Sequence, residues 1–253
     1  MRTRYSVWMD NKGLQDIDPS IYILDIQEQT PKLDAQTASN GMGDGMRLLR
    51  IQRESLSVGV KFAIRERDTE RRRDICRRVI AWAREGYLST SDRPGQRLRV
   101  ACTRFPTAES ALKWTATLEM LFTAYDMPWW EAETPSRATY SGANGDAVLN
   151  VNGDAESLLD ATVTAAGTVN SMTIEANGKK FAFTGLGLYA GDKMTISHDA
   201  RGILSIMKGS NSLLGKRTAA SEDELTVQPG ANTIHFTADA SCTAVFTTRG
   251  RFA

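Results

Sequence analysis

Apolar and polar residues alternate one for one along several stretches of this chain, which is the spacing of strands with one face in a core. From Ser55 to Arg65, Leu56, Val58, Val60, Phe62 and Ile64 alternate with their neighbours and predict one half-buried strand. A longer alternation runs through Leu112, Trp114, Ala116, Leu118, Met120, Phe122 and Ala124, and so sustained a period of two excludes a helix there. Tyr5 to Met9 and Ile21 to Ile26 read as short strands separated by Asp10-Asn11-Lys12-Gly13 and Asp18-Pro19, both good turn chemistry. Strand character resumes at Leu98, Val100 and Cys102, after the turn Asp92-Arg93-Pro94-Gly95. The glycine-dense stretch from Asn40 to Gly45 predicts a flexible loop or a hairpin tip.

The period changes over residues 68–86, where Ile75, Val79 and Trp82 or Ala83 fall on one helical face. Asp68 or Thr69 can cap the start, and Gly86 can end the helix in a left-handed conformation. The apolar face is expected to dock on the sheet, with the arginines turned outward.

Beyond the stretch around Pro135, Ser136, Gly142 and Gly145 the texture shifts. All five tryptophans and about two-thirds of the Lys and Arg precede it, and the remainder is rich in Ala, Gly, Thr, Ser and Asn. The sequence therefore divides into an N-terminal domain over 1–133, a linker over 134–146 and a C-terminal domain over 147–253. In the last of these, Asn177-Gly178, Ala190-Gly191-Asp192, Asp199-Ala200-Arg201-Gly202 and Gln228-Pro229-Gly230-Ala231-Asn232 punctuate short strands at hairpin spacing. The fold class is mainly β: an N-terminal β-sandwich with one packed α-helix and a C-terminal antiparallel β-sandwich.

Composition narrows the functional classes. The 253 residues carry a formal charge of +1, so no global field steers the chain to nucleic acid or anionic lipid. The first ten residues lack an apolar signal region, and no window reaches the ~18 apolar residues of a membrane helix, so a soluble protein without membrane insertion is expected. Cys76, Cys102 and Cys242 are odd in number and widely spaced, which suggests reduced, mostly buried thiols.

Chemistry is sparse. His198 and His235 are the only histidines, each in a turn or strand, with no nucleophile motif around a serine. No catalytic, cofactor-binding or metal site is assigned, and no enzyme activity or cofactor is expected. Asp154, Glu156 and Asp192 could touch a calcium ion but lack the spacing of an EF-hand loop. Gly185 to Gly191 and Gly209 to Thr218 each miss a phosphate-loop pattern by one residue and are read as loops. Arg71, Arg72, Arg73, Arg77, Arg78 and Arg84 leave three readings open. They form a solvated face balanced by Glu66, Asp68, Glu70 and Asp74, or subunit contacts, or an electropositive stripe for phosphates without sequence readout. Trp129-Trp130 is either core or a contact with a neighbour.

The order of parts in the first half resembles the distal tail proteins (Dit) of long-tailed, non-contractile phages and prophages. It runs through ILDIQEQTPKL, the glycine-rich loop, the alternating strand, the arginine-rich helix ending at Trp82, Arg93-Pro94-Gly95 and Asp126-Met127-Pro128-Trp129. The second half continues the resemblance with MTIEANGKKFAF, DKMTISHDARGIL, LTVQPGANTIHFTAD and AVFTTRGRF, so the match covers nearly the whole chain. The resemblance implies a galectin-like or carbohydrate-module-like C-terminal sandwich. It also implies a homo-oligomeric ring, of six copies in the family, with the tail tube docked on one face and the tail-tip or baseplate hub on the other. Fibre or receptor-binding proteins are possible further partners. The virion tail is the implied location, with the host cytoplasm during assembly. The rival reading is a β-sandwich carbohydrate-binding adhesin of the tail or cell surface. The absence of tryptophan after residue 130 speaks against a stacking platform for sugars. A glycan-degrading enzyme would need paired carboxylates in a cleft, and no such pair is located.

Overall fold

A computed structural model describes residues 5–39, 46–106 and 117–253. The expected glycine-dense loop at 40–45 and the positions Leu112, Trp114 and Ala116 lie outside the described residues. The chain divides into two units, Met1–Trp130 and Glu131–Ala253.

In the first unit the strands are β1 (Val7–Met9), β2 (Lys12–Gly13), β3 (Ile21–Glu28), β4 (Lys32–Ser39), β5 (Met46–Ile64), β6 (Gly86–Thr90), β7 (Gln96–Arg104) and β8 (Leu118–Ala124), with the helix α1 (Thr69–Trp82) between β5 and β6. The sheet order is β2-β1-β6-β7-β8-β5-β3, and β4 pairs β5. The alternation read at 56–64 is borne out, since Leu56, Val58, Val60, Phe62 and Ile64 are all buried. The strand itself begins nine residues earlier than Ser55, at Met46, because its first part pairs with β4 instead of with the sheet. Asp10 and Asn11 adopt positive φ between β1 and β2, as a two-residue hairpin turn requires.

Asp68 caps the helix, its Oδ1 accepting the backbone N–H of Glu70 at 2.9 Å. Ile75, Cys76, Val79 and Ala83 form the buried face, and Trp82 meets Phe122 edge-on with ring centroids 6.1 Å apart. Gly86 does not end the helix as expected. It is the first residue of β6, and a Cβ there would lie 2.4 Å from Asp10 Oδ2, so its glycine answers close packing instead of helix termination.

The second unit holds most of β9 (Trp130–Ala132), then β10 (Ser136–Val151), β11 (Ser157–Leu158), β12 (Asp160–Ala165), β13 (Val169–Ala176), β14 (Lys179–Leu188), β15 (Lys193–His198), β16 (Leu204–Lys208), β17 (Asn211–Ser212), β18 (Thr226–Val227), β19 (Gly230–Thr248) and β20 (Arg251–Phe252). Strand β19 is the spine. Its residues 242–247 pair with β12, its residues 234–238 with β13, and β10 follows it over its whole length. One half of the spine thus belongs to the row β12-β15-β16-β17 and the other to the row β13-β14. Both rows bury residues in one cluster that includes Val163, Ile196, Ile174, Phe181, Phe236 and Phe246, as in a sandwich. Asn177 and Gly178 both take positive φ in the turn between β13 and β14, as their dipeptide predicts.

The segment 134–146, read as a linker, is largely strand. Ser136 to Asp146 belongs to β10 and pairs with Thr248 to His235. The glycines that suggested a break serve packing: a Cβ at Gly142 or Gly145 would meet the Tyr140 hydroxyl at 2.5 or 2.7 Å. At that point the register shifts between Gly142 and Asn144, where the strand passes from one row to the other.

Candidate assembly surfaces

Among the described residues strand β4 pairs only with β5, and only with the part of β5 that precedes the core, so the two form a two-stranded hairpin. Directly opposed residues in an antiparallel pair share a face. The register therefore places Leu33, Ala35 and Thr37 on one face together with Arg53, Ile51, Leu48 and Met46. Asp34, Gln36, Gln52 and Arg47 occupy the other. The sorting depends on one residue being left out of the pairing. Between Gln36 and Thr37 the pairing skips Leu49, and without that skip Leu48 and Met46 would turn onto the charged face.

The apolar face is uncovered. Leu33, Met46, Leu48 and Ile51, with Leu49 beside them, are between 52 and 68% exposed, whereas apolar residues a few positions along β5 are fully buried. Covering what remains exposed of each side chain is worth roughly 1–2 kcal/mol before ordering costs. A two-stranded hairpin is marginal alone in water, so this element is built to be covered. At its root Arg53 stacks its guanidinium on Trp129, and the neighbouring Trp130 is buried core. Of the two tryptophans, then, one belongs to the core and the other supports the hairpin.

The helix arginines resolve individually. Arg78 donates to Asp18 at 3.1 Å and to the Ile17 carbonyl at 2.8 Å, and it also meets Asp74 at 3.2 Å. Arg71 pairs with Glu66 at 3.2 Å, and Arg73 with Glu70 at 3.4 Å. Arg72 is buried and donates to the carbonyls of Glu66 and Arg67, pinning the loop before the helix. Arg77 and Arg84 are exposed. Burial raises the Asp18 carboxyl, but the Ser20 N–H and hydroxyl, Arg78 and Arg71 together outweigh it and hold the group below the usual carboxylate range. Much of the predicted stripe is thus committed to partners within its own unit.

The other residues singled out in the sequence are spread over the second unit. The side chain of His198 is 4% exposed, with Nδ1 2.8 Å from Asp160 Oδ1, and His235 is exposed beside Asp146 at 2.6 Å. Each ring thus meets a carboxylate and not a serine or cysteine nucleophile. Glu156 bonds the Thr226 hydroxyl and Lys179, which hold it below its usual range against its partial burial. Asp192 accepts from Lys208 at 2.7 Å and from the Tyr189 N–H, and Asp154 accepts the N–H of Ala253. These carboxylates serve turns and strand ends, and among the described residues no three or more His, Cys, Asp or Glu gather as a metal site. Gly185 and Gly187 lie within β14, and the 209–218 stretch is a turn, a two-residue strand and a 3-10 turn, so neither offers a helix N-terminus of useful length. Tyr189 is the exposed aromatic ring of the second unit among the described residues, and a single ring beside Lys208 is a poor sugar platform. Burial pushes the Cys76 and Cys242 thiols up, and Cys102 up to about 11. What the sequence reading missed is the hairpin's apolar face, although its signal, Met46-Arg47-Leu48-Leu49, was present beside the glycine-dense stretch.

No family model and no curated protein matches the chain. Among solved structures it is similar to the crystal structure of the phage SPP1 Dit protein, described as a paradigm of the hub adsorption apparatus in phages infecting Gram-positive hosts. The TM-score is 0.69 at 12% identity, over 97% of this chain and 98% of that one. A chain of the phage P2 baseplate in its activated conformation with Ca matches with a TM-score of 0.50 at 9% identity, over 99% of this chain and 98% of that one. At such identities the likeness is one of fold, and it extends over both units.

Proposed function

We propose that this chain is a structural subunit of a phage tail baseplate, that it closes into a ring of six copies, and that the ring joins the tail tube to the tail-tip hub. The observation that carries the reading is the uncovered apolar face of the β4–β5 hairpin, on a chain whose whole length follows the fold of a phage hub protein. A contact between the hairpin of one copy and a different surface of the next is heterologous. Repeated with a fixed rotation it closes into a ring, whose two faces are different and so suited to different partners. The tube and the hub are the partners proposed for those faces, with fibre or receptor-binding proteins attached outside. The location is the virion tail, reached from the host cytoplasm during assembly. No catalysis is part of this role.

Light scattering over a concentration series of the purified full chain, with negative-stain images, tests it. Six-fold rings are expected as concentration rises. A monomer at every concentration and no ring on any grid, even with tube and hub proteins added, would overturn the proposal.

A further inference from the structure

The second unit guards two of its sheet edges and leaves the third open. Beyond β14, Thr218 N–H donates to the Ala182 carbonyl, Glu222 N–H to the Lys180 carbonyl, and Ser221 Oγ both gives and receives a bond at Ala182, so that edge is covered. At the other end β17 is only two residues long. Strand β10 is 16 residues long and, among the described residues, pairs on one side only, with β19. Among the described residues, the backbone of 136–151 bonds to β19 alone. Exposed strand edges normally carry lysine, proline or a cover that blocks pairing. Residues 144–151, Asn-Gly-Asp-Ala-Val-Leu-Asn-Val, carry a single charge and neither lysine nor proline.

In this segment Ala147, Leu149 and Val151 point into the core, while Asp146, Val148 and Asn150 face out. Val148 is 60% exposed, an apolar side chain with no packing role in its own unit. Opposed residues must share a face, so a second strand can add only in registers that keep outward residues opposite outward residues. One such register makes the segment its own complement. With Val148 on a two-fold axis, Val148 opposes Val148 of a second copy, and Asp146 opposes Asn150 on both sides. The carboxylate can then accept the carboxamide N–H, since His235 occupies only Oδ1 of Asp146.

We propose that the 144–151 edge of β10 is a two-fold contact between copies of this chain, joining their outer strands antiparallel about Val148. This contact uses a different unit from the hairpin and does not depend on it. A single edge of eight residues is small, and it gains strength where several such edges act together on one particle. Covalent trapping suits a weak contact. In the full chain, Val148→Cys is expected to shift most of the protein to a disulfide-linked dimer on a non-reducing gel after mild oxidation. Thr139→Cys, exposed on the same strand but far from the axis, is expected to stay monomeric. Asp146→Cys and Asn150→Cys are each expected to stay monomeric alone and to form a mixed dimer when combined. No excess of dimer for Val148→Cys over Thr139→Cys would overturn the proposal. So would self-trapping by Asp146→Cys as ready as its trapping of Asn150→Cys. Circular dichroism of each variant establishes that the trapped or untrapped chain is folded.

Discussion

Arg53 sits over Trp129, its guanidinium carbon 3.6 Å from the ring centroid, at the point where the β4–β5 hairpin leaves the core. The stack joins the hairpin's apolar face to a segment that continues into the buried Trp130. Such contacts are worth about 0.5–2 kcal/mol. Its removal acts on the angle and order of the hairpin more than on the core. Arg53→Ala is expected to leave the melting temperature nearly unchanged while hydrogen exchange at 33–39 and 46–53 accelerates and ring yield falls. Unchanged exchange in that window would show that the stack does not hold the hairpin.

The apolar face itself separates assembly from folding. Ile51→Asp and Leu48→Glu alter exposed side chains, so each should move stability by no more than about 0.5 kcal/mol. Light scattering should show rings lost in both variants, with Gln52→Glu on the opposite face still assembling. Deletion of Leu49 should leave rings intact, because it removes the skipped residue and keeps Leu48 opposite Thr37 and Met46 opposite Ser39. Equal loss from substitutions on both faces would assign the effect to the hairpin's charge instead of its apolar surface.

Asp18 makes the first unit sensitive to acid. Its folded pKa is depressed, so its contribution is present above the unfolded value and is lost as pH falls through the folded one. Asp18→Asn should therefore lower the melting temperature at pH 7, and the gap to the parent chain should narrow below about pH 4. A gap that stays constant from neutral pH to pH 3 would mean that the carboxylate charge contributes nothing there.

The three native thiols should be quiet. Burial raises all three, Cys102 to about 11, and its Sγ–H points to the Arg104 carbonyl at 3.4 Å. At pH 8 a disulfide reagent should react slowly with the folded chain, and all three cysteines should appear promptly in guanidinium. A fast-reacting thiol in the native state would contradict this, and it would have to be replaced before any engineered cysteine is used on β10.

Much of the architecture was legible because burial on one side of a sheet writes itself into alternation. Residues 56–64, the Asp68 cap and the Asn177-Gly178 turn all follow from local chemistry that the fold does not override. Where the sequence misled, glycine was the reason. At 142 and 145 it makes room for Tyr140 inside a strand, and at 86 it admits Asp10 against a strand start, yet in a bare sequence both resemble breaks. The hairpin surface was harder. Its apolar residues do not alternate over 46–51, since Leu48 and Leu49 are adjacent, and only the pairing with β4 reveals which of them is the skipped residue. The open edge of β10 depends on what fails to pair with it, which is a property of topology that no local pattern carries.

The skipped residue in the hairpin has a consequence for how this segment can change over time. A strand has two sides, and Leu49 already stands outside the alternation: its loss makes the pairing regular and moves nothing across, whereas one inserted residue that enters the pairing swaps sides for everything beyond it, and two restore them. Substitutions that exchange one apolar side chain for another can accumulate freely along the exposed face. Apart from loss of the skipped residue, length changes within the paired part of the hairpin should survive in descendants of this chain only in even steps, or in matched steps on both strands.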